Sequence, residues 1–359
     1  MEAAAANRPP RRAFTLVEIL IVIVIIGMLV GLTLPAVIAA RNRAKEAVIK
    51  TDLDQLSMAI QHYKGEYGDY PPDFFGVNDS FPDDIRQPAR AAVLRHLART
   101  FPRLVPESGA DVDARWNNFR THFANHHPTL GLDLDDLTPA SALVFWLGGL
   151  PDPASKQLQG FSANPAHPFE AGGPRRAKLN DFDETRLRGF DESTMTWTEW
   201  PTYAPKGAKL PYVYFKPRTD ATSTRMEYAV DTSGSPATGG GTGPMQPFFC
   251  KFDDNGRLVA DQWTGASTNI CVPYLRDIVP AQTNPAAAEN PTTDRVWMER
   301  DKFQIISPGL DEQFGDQPVA AAATDFRNAI TGENLSVNGG DLDNITNFSE
   351  GRLENGIKP

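Results

Sequence analysis

Glu18 is the only charged side chain between Arg12 and Arg41, and the residues around it from Leu16 to Ala40 are uncharged and mostly aliphatic. The 22 residues from Ile19 to Ala40, at about 1.5 Å of rise each, reach roughly 33 Å as a helix, enough for the hydrocarbon core of a bilayer. A lone carboxylate at that depth costs about 2.5–3.5 kcal/mol on insertion scales. A plain anchor would gain by losing it. Glu18 therefore calls for a cationic partner in the same apolar layer.

Other residues able to do chemistry are sparse. Cys250 and Cys271 are the two cysteines. In an oxidising compartment they either close a loop of about 20 residues, contributing about 3 kcal/mol, or stay as two buried thiols. Their spacing is neither C-x-x-C nor that of a zinc site. The six histidines are scattered, and His126-His127 ahead of Pro128 read as a solvated helix end. Asp181, Asp183 and Glu184 form an acidic cluster of a kind that arises by chance, and Asp253-Asp254-Asn255-Gly256 reads as a hairpin turn. Neither H-E-x-x-H nor G-x-S-x-G occurs. The reading is of a protein that is not an enzyme.

Basic residues, Ala13, then Phe14-Thr15-Leu16-Val17-Glu18 and an aliphatic run resemble the class III signal of type IV pilins and type II secretion pseudopilins. The resemblance implies that a prepilin peptidase cuts between Ala13 and Phe14 and methylates the new amino terminus. Phe14 then becomes the first mature residue and Glu18 the fifth, and a neighbouring subunit's terminal amine supplies the cation Glu18 needs. Pro35 stands where the family has a proline, and its missing N–H is expected to kink or locally melt the helix. Ala13 replaces the usual Gly, from which slower processing is expected. An ordinary secretory signal cut near Ala40, or a simple single-span anchor, leaves Glu18 without a purpose. Arg8, Arg11 and Arg12 precede the span while Arg41, Arg43, Lys45 and Lys50 follow it, so the positive-inside rule does not set the orientation. The motif does, with the leader cytoplasmic and the head periplasmic.

Two later stretches extend the resemblance. Tyr63 to Pro71, with its Tyr70-Pro71 pair, resembles the helix exit of major (G-type) pseudopilins. Ser307-Pro308-Gly309-Leu310-Asp311 resembles the Ser-x-Gly-x-Asp turn of that type, whose following loop binds calcium. Carried over, Asp311 is a ligand, with Asp341, Asp343 and Asn344 able to add the hard oxygens calcium takes. Glu312 stands where the family prefers Gly, and the same residues also read as a solvated acidic loop with Asx turns. The head is much larger than that of G-type pseudopilins. Large minor (K-type) pseudopilins do carry a helical insertion, but they usually lack the Glu at the fifth mature place.

The elements that must position these residues follow from periodicity. Ile49, Leu53, Leu56, Ile60, Tyr63 and Tyr67 form an apolar stripe at spacings of three and four, the mark of one buried helix face. One helix is expected from about Phe14 to Lys64, ended by Gly65, Gly68 and Pro71-Pro72. Further helices are expected over 86–101 and 112–123, and from Thr138-Pro139 through Leu147, closed by Gly148-Gly149. Residues 151–209 read as loop-rich, with Pro, Gly and Asp clusters. Strands are expected over 212–216, 225–230, 247–252, 270–275 and 303–307.

The fold class is thus α+β: a long N-terminal transmembrane and amphipathic helix packed on an antiparallel sheet head with a helical insertion. The expected divisions are 1–13 leader, 14–40 transmembrane half, 41–70 amphipathic half, 71–210 insertion and 211–359 sheet. The chain carries −10, and the leader contributes +2, leaving −12 on the rest. Such an acidic surface argues against nucleic-acid binding. The expected role is a structural pilin-like subunit, foremost a type II secretion pseudopilin that polymerises through its N-terminal helix to drive export. A type IV pilus subunit, a tip adhesin, a DNA-uptake pilin, or a membrane-tethered binding protein that never polymerises are the alternatives. The resemblance implies sister subunits, a prepilin peptidase, an inner-membrane assembly platform with its ATPase, and the bilayer as partners.

Overall fold

The stretch from Ala36 to Lys64 contains neither Gly nor Pro. In a computed structural model that describes residues 15–104, 110–219, 226–231, 245–259, 262, 269–278, 295–314 and 344–353, it lies within one helix, α1 (Leu16–Tyr67). Pro35 lies inside α1, and the helix continues on both sides of it. The expected local melting is corrected. Pro removes one backbone hydrogen bond, but a helix already nucleated on both sides propagates through a single defect. Two residues earlier, the Thr33 hydroxyl donates to the Leu29 carbonyl at 2.9 Å, so it too is satisfied within the helix.

The stripe becomes the buried face. Ile49, Leu53, Leu56, Ala59, Ile60 and Tyr63 are buried, and they share one core with α2 (Asp83–Thr100), α3 (Val112–His126) and α4 (Ala142–Gly148). From α2 come Ala89, Val93, Leu94 and Leu97, from α3 Trp116, Phe119 and Phe123, and α4 is buried throughout. The third insertion helix starts three residues later than expected, at Ala142 in place of Pro139. Thr138 to Ser141 instead make a turn, in which the Ser141 hydroxyl accepts the Thr138 amide hydrogen at 2.9 Å and α4 begins at Ala142.

The stretch 151–209 is not loop throughout. It holds a hairpin of β1 (Leu187–Asp191) and β2 (Thr196–Tyr203), with Leu187 opposite Tyr203 and Asp191 opposite Thr196. Pro201 and the Gly and Asp around the hairpin mask the pattern. Trp197, Trp200 and Tyr203 carry it, because aromatic residues suit a pleated surface they can bury.

Downstream come β3 (Val213–Phe215), β4 (Arg218–Thr219), β5 (Met226–Glu227), β6 (Ala229–Asp231), β7 (Met245–Pro247) and β8 (Cys250–Phe252). β9 (Asn269–Cys271), β10 (Leu275–Ile278), β11 (Arg295–Trp297), β12 (Gln304–Ser307) and β13 (Ile345–Thr346) follow. Pairing is antiparallel: β13-β12-β3 form a three-stranded sheet, while β4-β5, β6-β7, β8-β9 and β10-β11 are two-stranded. The long helix followed by antiparallel strands makes this an α+β protein.

Polar contacts lock the second half of α1 onto this layer. Asp52 accepts from both terminal nitrogens of Arg186, at 3.2 and 2.5 Å, and from the Tyr212 hydroxyl at 2.8 Å. Lys50 donates to the Thr346 and Asn347 carbonyls at 3.4 and 3.2 Å. A second core, with Phe75, Phe81, Ile85, Phe215, Phe248 and Phe252, joins the start of α2 to the strands. The chain divides into two compact units, Met1–Lys45 and Glu46–Pro359. The first contains the apolar half of α1 and the second the remainder.

Candidate functional site

Thr15 and Glu18 together start α1. The Glu18 carboxylate accepts from the Thr15 amide and hydroxyl, both at 2.8 Å, while the Glu18 amide donates to the Thr15 hydroxyl oxygen at 3.3 Å. This reciprocal pair is a capping box, which satisfies amide groups that the first turn leaves without intrahelical partners. The pattern Thr-x-x-Glu ahead of an apolar run is the sequence signature of such a box. The hydrogen bonds do not remove the charge of Glu18.

Beyond Glu18 the side chains point outward. Leu16 is 80 % exposed, and Ile19 to Ile26, Met28, Leu29, Leu32 and Val37 are all more than half exposed or close to it. An 18-residue window of this helix has a mean hydropathy of 2.9 and none of it is buried. Among the described residues it is the one helix long and apolar enough to cross a membrane. An apolar surface of this extent is stable only against lipid or other apolar helices.

Ala13 and Phe14 lie outside the described residues, as do Asp341 and Asp343. Asp311 is exposed, and its carboxylate accepts the Gln313 amide hydrogen at 3.0 Å in an Asx turn. Its hard oxygen donor suits calcium in kind. Cys250 and Cys271 stand directly opposite each other across the β8-β9 pair, and both are buried thiols. Burial pushes the Cys250 thiol up to about 12, against the hydrogen bonds of Ala140 and Thr138 that favour its thiolate.

Sequence reasoning missed a grouping of histidines. His126 ends α3 as expected, but the end is not solvated: His126 is half-buried and His127 is buried at 2 % exposure. His122 and His126 lie one turn apart on α3 with ring centroids 4.1 Å apart, and His167 stacks on them at 4.4 Å from His126 and 5.4 Å from His122. The spacing His-x-x-x-His was a usable signal, since residues i and i+4 share a helix face. His167, far along the chain, had none.

The model for the prokaryotic N-terminal methylation motif matches residues 8–34. The chain is similar to type II secretion system core protein G of Pseudomonas aeruginosa, at 38 % identity over 65 residues, covering 18 % of this chain and 46 % of that one. Against the core protein G of Klebsiella michiganensis the identity is 30 % over 96 residues, covering 25 % and 68 %. Against that of Pectobacterium carotovorum it is 29 % over 99 residues, covering 28 % and 56 %. The chain thus spans from about half to two thirds of the length of these curated relatives. No solved structure matches.

Proposed function

The chain belongs to the type IV pilin-like family of type II secretion pseudopilins, and on that footing we propose that it is a structural subunit of a secretion pseudopilus, held in the inner membrane until it polymerises. The observation that carries this reading is the outward-facing, uncharged half of α1 with Glu18 as its one charge. In the mature subunit, Phe14 bears the amine released by cleavage after Ala13. That amine on one subunit and Glu18 on its neighbour form an ion pair that neither charge has while the subunit stands alone in lipid. Burial of the apolar half of α1 against sister helices then follows from assembly, and growth of the filament draws subunits out of the bilayer and pushes exported proteins outward. The role is mechanical and includes no catalytic step.

The leader lies in the cytoplasm and the head in the periplasm. A prepilin peptidase, sister pilins and an assembly platform with its ATPase are the partners. Calcium at Asp311, Asp341 and Asp343 belongs to the same proposal, supported by the hard oxygen donors of that set.

Mass spectrometry of the mature amino terminus tests the reading. A methylated Phe14 is expected, and a start at Ala40 or an intact Met1 would overturn it. The enlarged head, most of which lies outside the segments matched to the relatives, favours one second reading, a pilus-tip adhesin. Loss of folded-protein export on deletion supports the pseudopilus, whereas loss of surface attachment with export intact assigns the adhesin.

A further inference from the structure

We propose that His122, His126 and His167 form a binding site for a divalent transition-metal ion of the zinc class. One ligand nitrogen from each ring can be chosen so that all three lie within 4.8 Å of one another. Zinc–nitrogen bonds of about 2.0–2.1 Å in tetrahedral geometry need nitrogens roughly 3.3 Å apart. The rings therefore need to close by about an ångström and a half at most, and to turn out of their stacked planes so that their in-plane lone pairs converge.

The groups around the rings are arranged as metal ligands require. His126 Nδ1 lies 2.8 Å from the His122 carbonyl oxygen. A carbonyl only accepts, so His126 carries its proton on Nδ1 and turns the lone pair of Nε2 outward. Fixing the tautomer through the second ring nitrogen is the usual outer support of a metal-bound imidazole. His122 Nε2 and His167 Nδ1 are buried and have no hydrogen-bond partner, although buried polar atoms are ordinarily satisfied. An ion between the rings would satisfy both.

The scaffold holds the three rings in register. α3 fixes His122 and His126 on one face. The loop bearing His167 is pinned to the end of that helix, where the Ala171 amide donates to the His126 carbonyl at 3.0 Å. Phe169, two residues from His167, is fully buried against Phe119 and Phe123 of α3, with ring centroids at 5.6 and 5.7 Å. Within the loop the His167 amide donates to the Asn164 carbonyl at 3.2 Å, and the Glu170 amide donates to the His167 carbonyl at 3.1 Å. All three histidines are half-buried, so water can complete a tetrahedral set. Three neutral imidazoles suit zinc, copper or nickel and not calcium, which takes oxygen ligands.

Zinc chloride titrated into the detergent-solubilised full chain tests the proposal. One ion bound per chain is expected, with a melting temperature that rises as zinc is added. His122→Gln and His167→Gln should each weaken binding by at least about tenfold. Zinc binding unchanged in the doubly substituted chain, or no binding by the wild-type chain at micromolar zinc, would overturn it. Electron paramagnetic resonance of the wild-type chain loaded with Cu²⁺ needs no variant to fold. Coupling to imidazole nitrogens is expected, and its absence would equally reject the site.

Discussion

The Glu18 carboxylate closes the capping box with Thr15, and the proposed assembly adds a charge pairing with a neighbour's amine that one substitution can separate from capping. Gln fills the same place in a capping box but carries no charge. Glu18→Gln should therefore leave membrane insertion and the helix intact while abolishing filaments, and normal filaments in electron micrographs of this variant would assign Glu18 to capping alone. Thr15→Ala is the complement. It should cost about 1 kcal/mol of helix stability with filaments retained. Cys250 makes a separate statement about burial. Its raised thiol pKa and lack of exposure predict negligible alkylation by iodoacetamide at pH 8 until the chain is unfolded. Labelling of native protein at the rate of a free thiol would contradict the packing of β8.

The insertion elements are held together by ions as well as by their apolar faces. Arg90 of α2 is 2 % exposed. It donates to the Val77 carbonyl at 2.9 Å and to Asp113, Asp79 and Asp135 at 2.7, 2.8 and 3.0 Å. Arg90→Met should cost on the order of 3 kcal/mol, because it removes a buried cation from three carboxylates and leaves the buried Asp135 with Arg120 and the Trp116 indole, and a thermal melt would read the loss. Burial alone would raise Asp79 and Asp113, but the neighbouring arginines hold both below the ordinary carboxylate range. The folded state therefore binds fewer protons there. The resulting stability is present above the unfolded value of about 3.9 and is lost as pH falls through the lower folded values. The gap in melting temperature between wild type and Arg90→Met should shrink on acidification, and a gap constant down to pH 2 would refute the electrostatic account. At the end of α4, Gly149 has φ 78°, and a Cβ there would lie 2.3 Å from the Gly160 carbonyl carbon. Gly149→Ala should accordingly cost more than about 1 kcal/mol, by the same melt.

For the whole molecule, calcium provides the remaining test. If Asp311 and its expected companions hold the ion, chelation should lower the melting temperature of the full chain, and Asp311→Ala should abolish that difference. A melt indifferent to chelator would leave the Asp311 turn as a solvated Asx turn. The consecutive residues of the chain were enough to determine the apolar run with its single acid, the buried stripe of α1, the centres of α2 and α3 and the β3 and β12 segments of the three-stranded sheet. Each depends on periodicity or composition within one element, which neighbouring residues impose on one another. Other features were settled only by tertiary packing. The β1-β2 hairpin relies on Trp197 and Trp200 finding a core to bury in. Arg90 gathers acids from positions 79, 113 and 135, and His167 reaches α3 because Phe169 is drawn into the space beside Phe119 and Phe123. Such groups are remote along the chain and carry no shared local pattern. They meet only when burial of apolar surface closes one element on another.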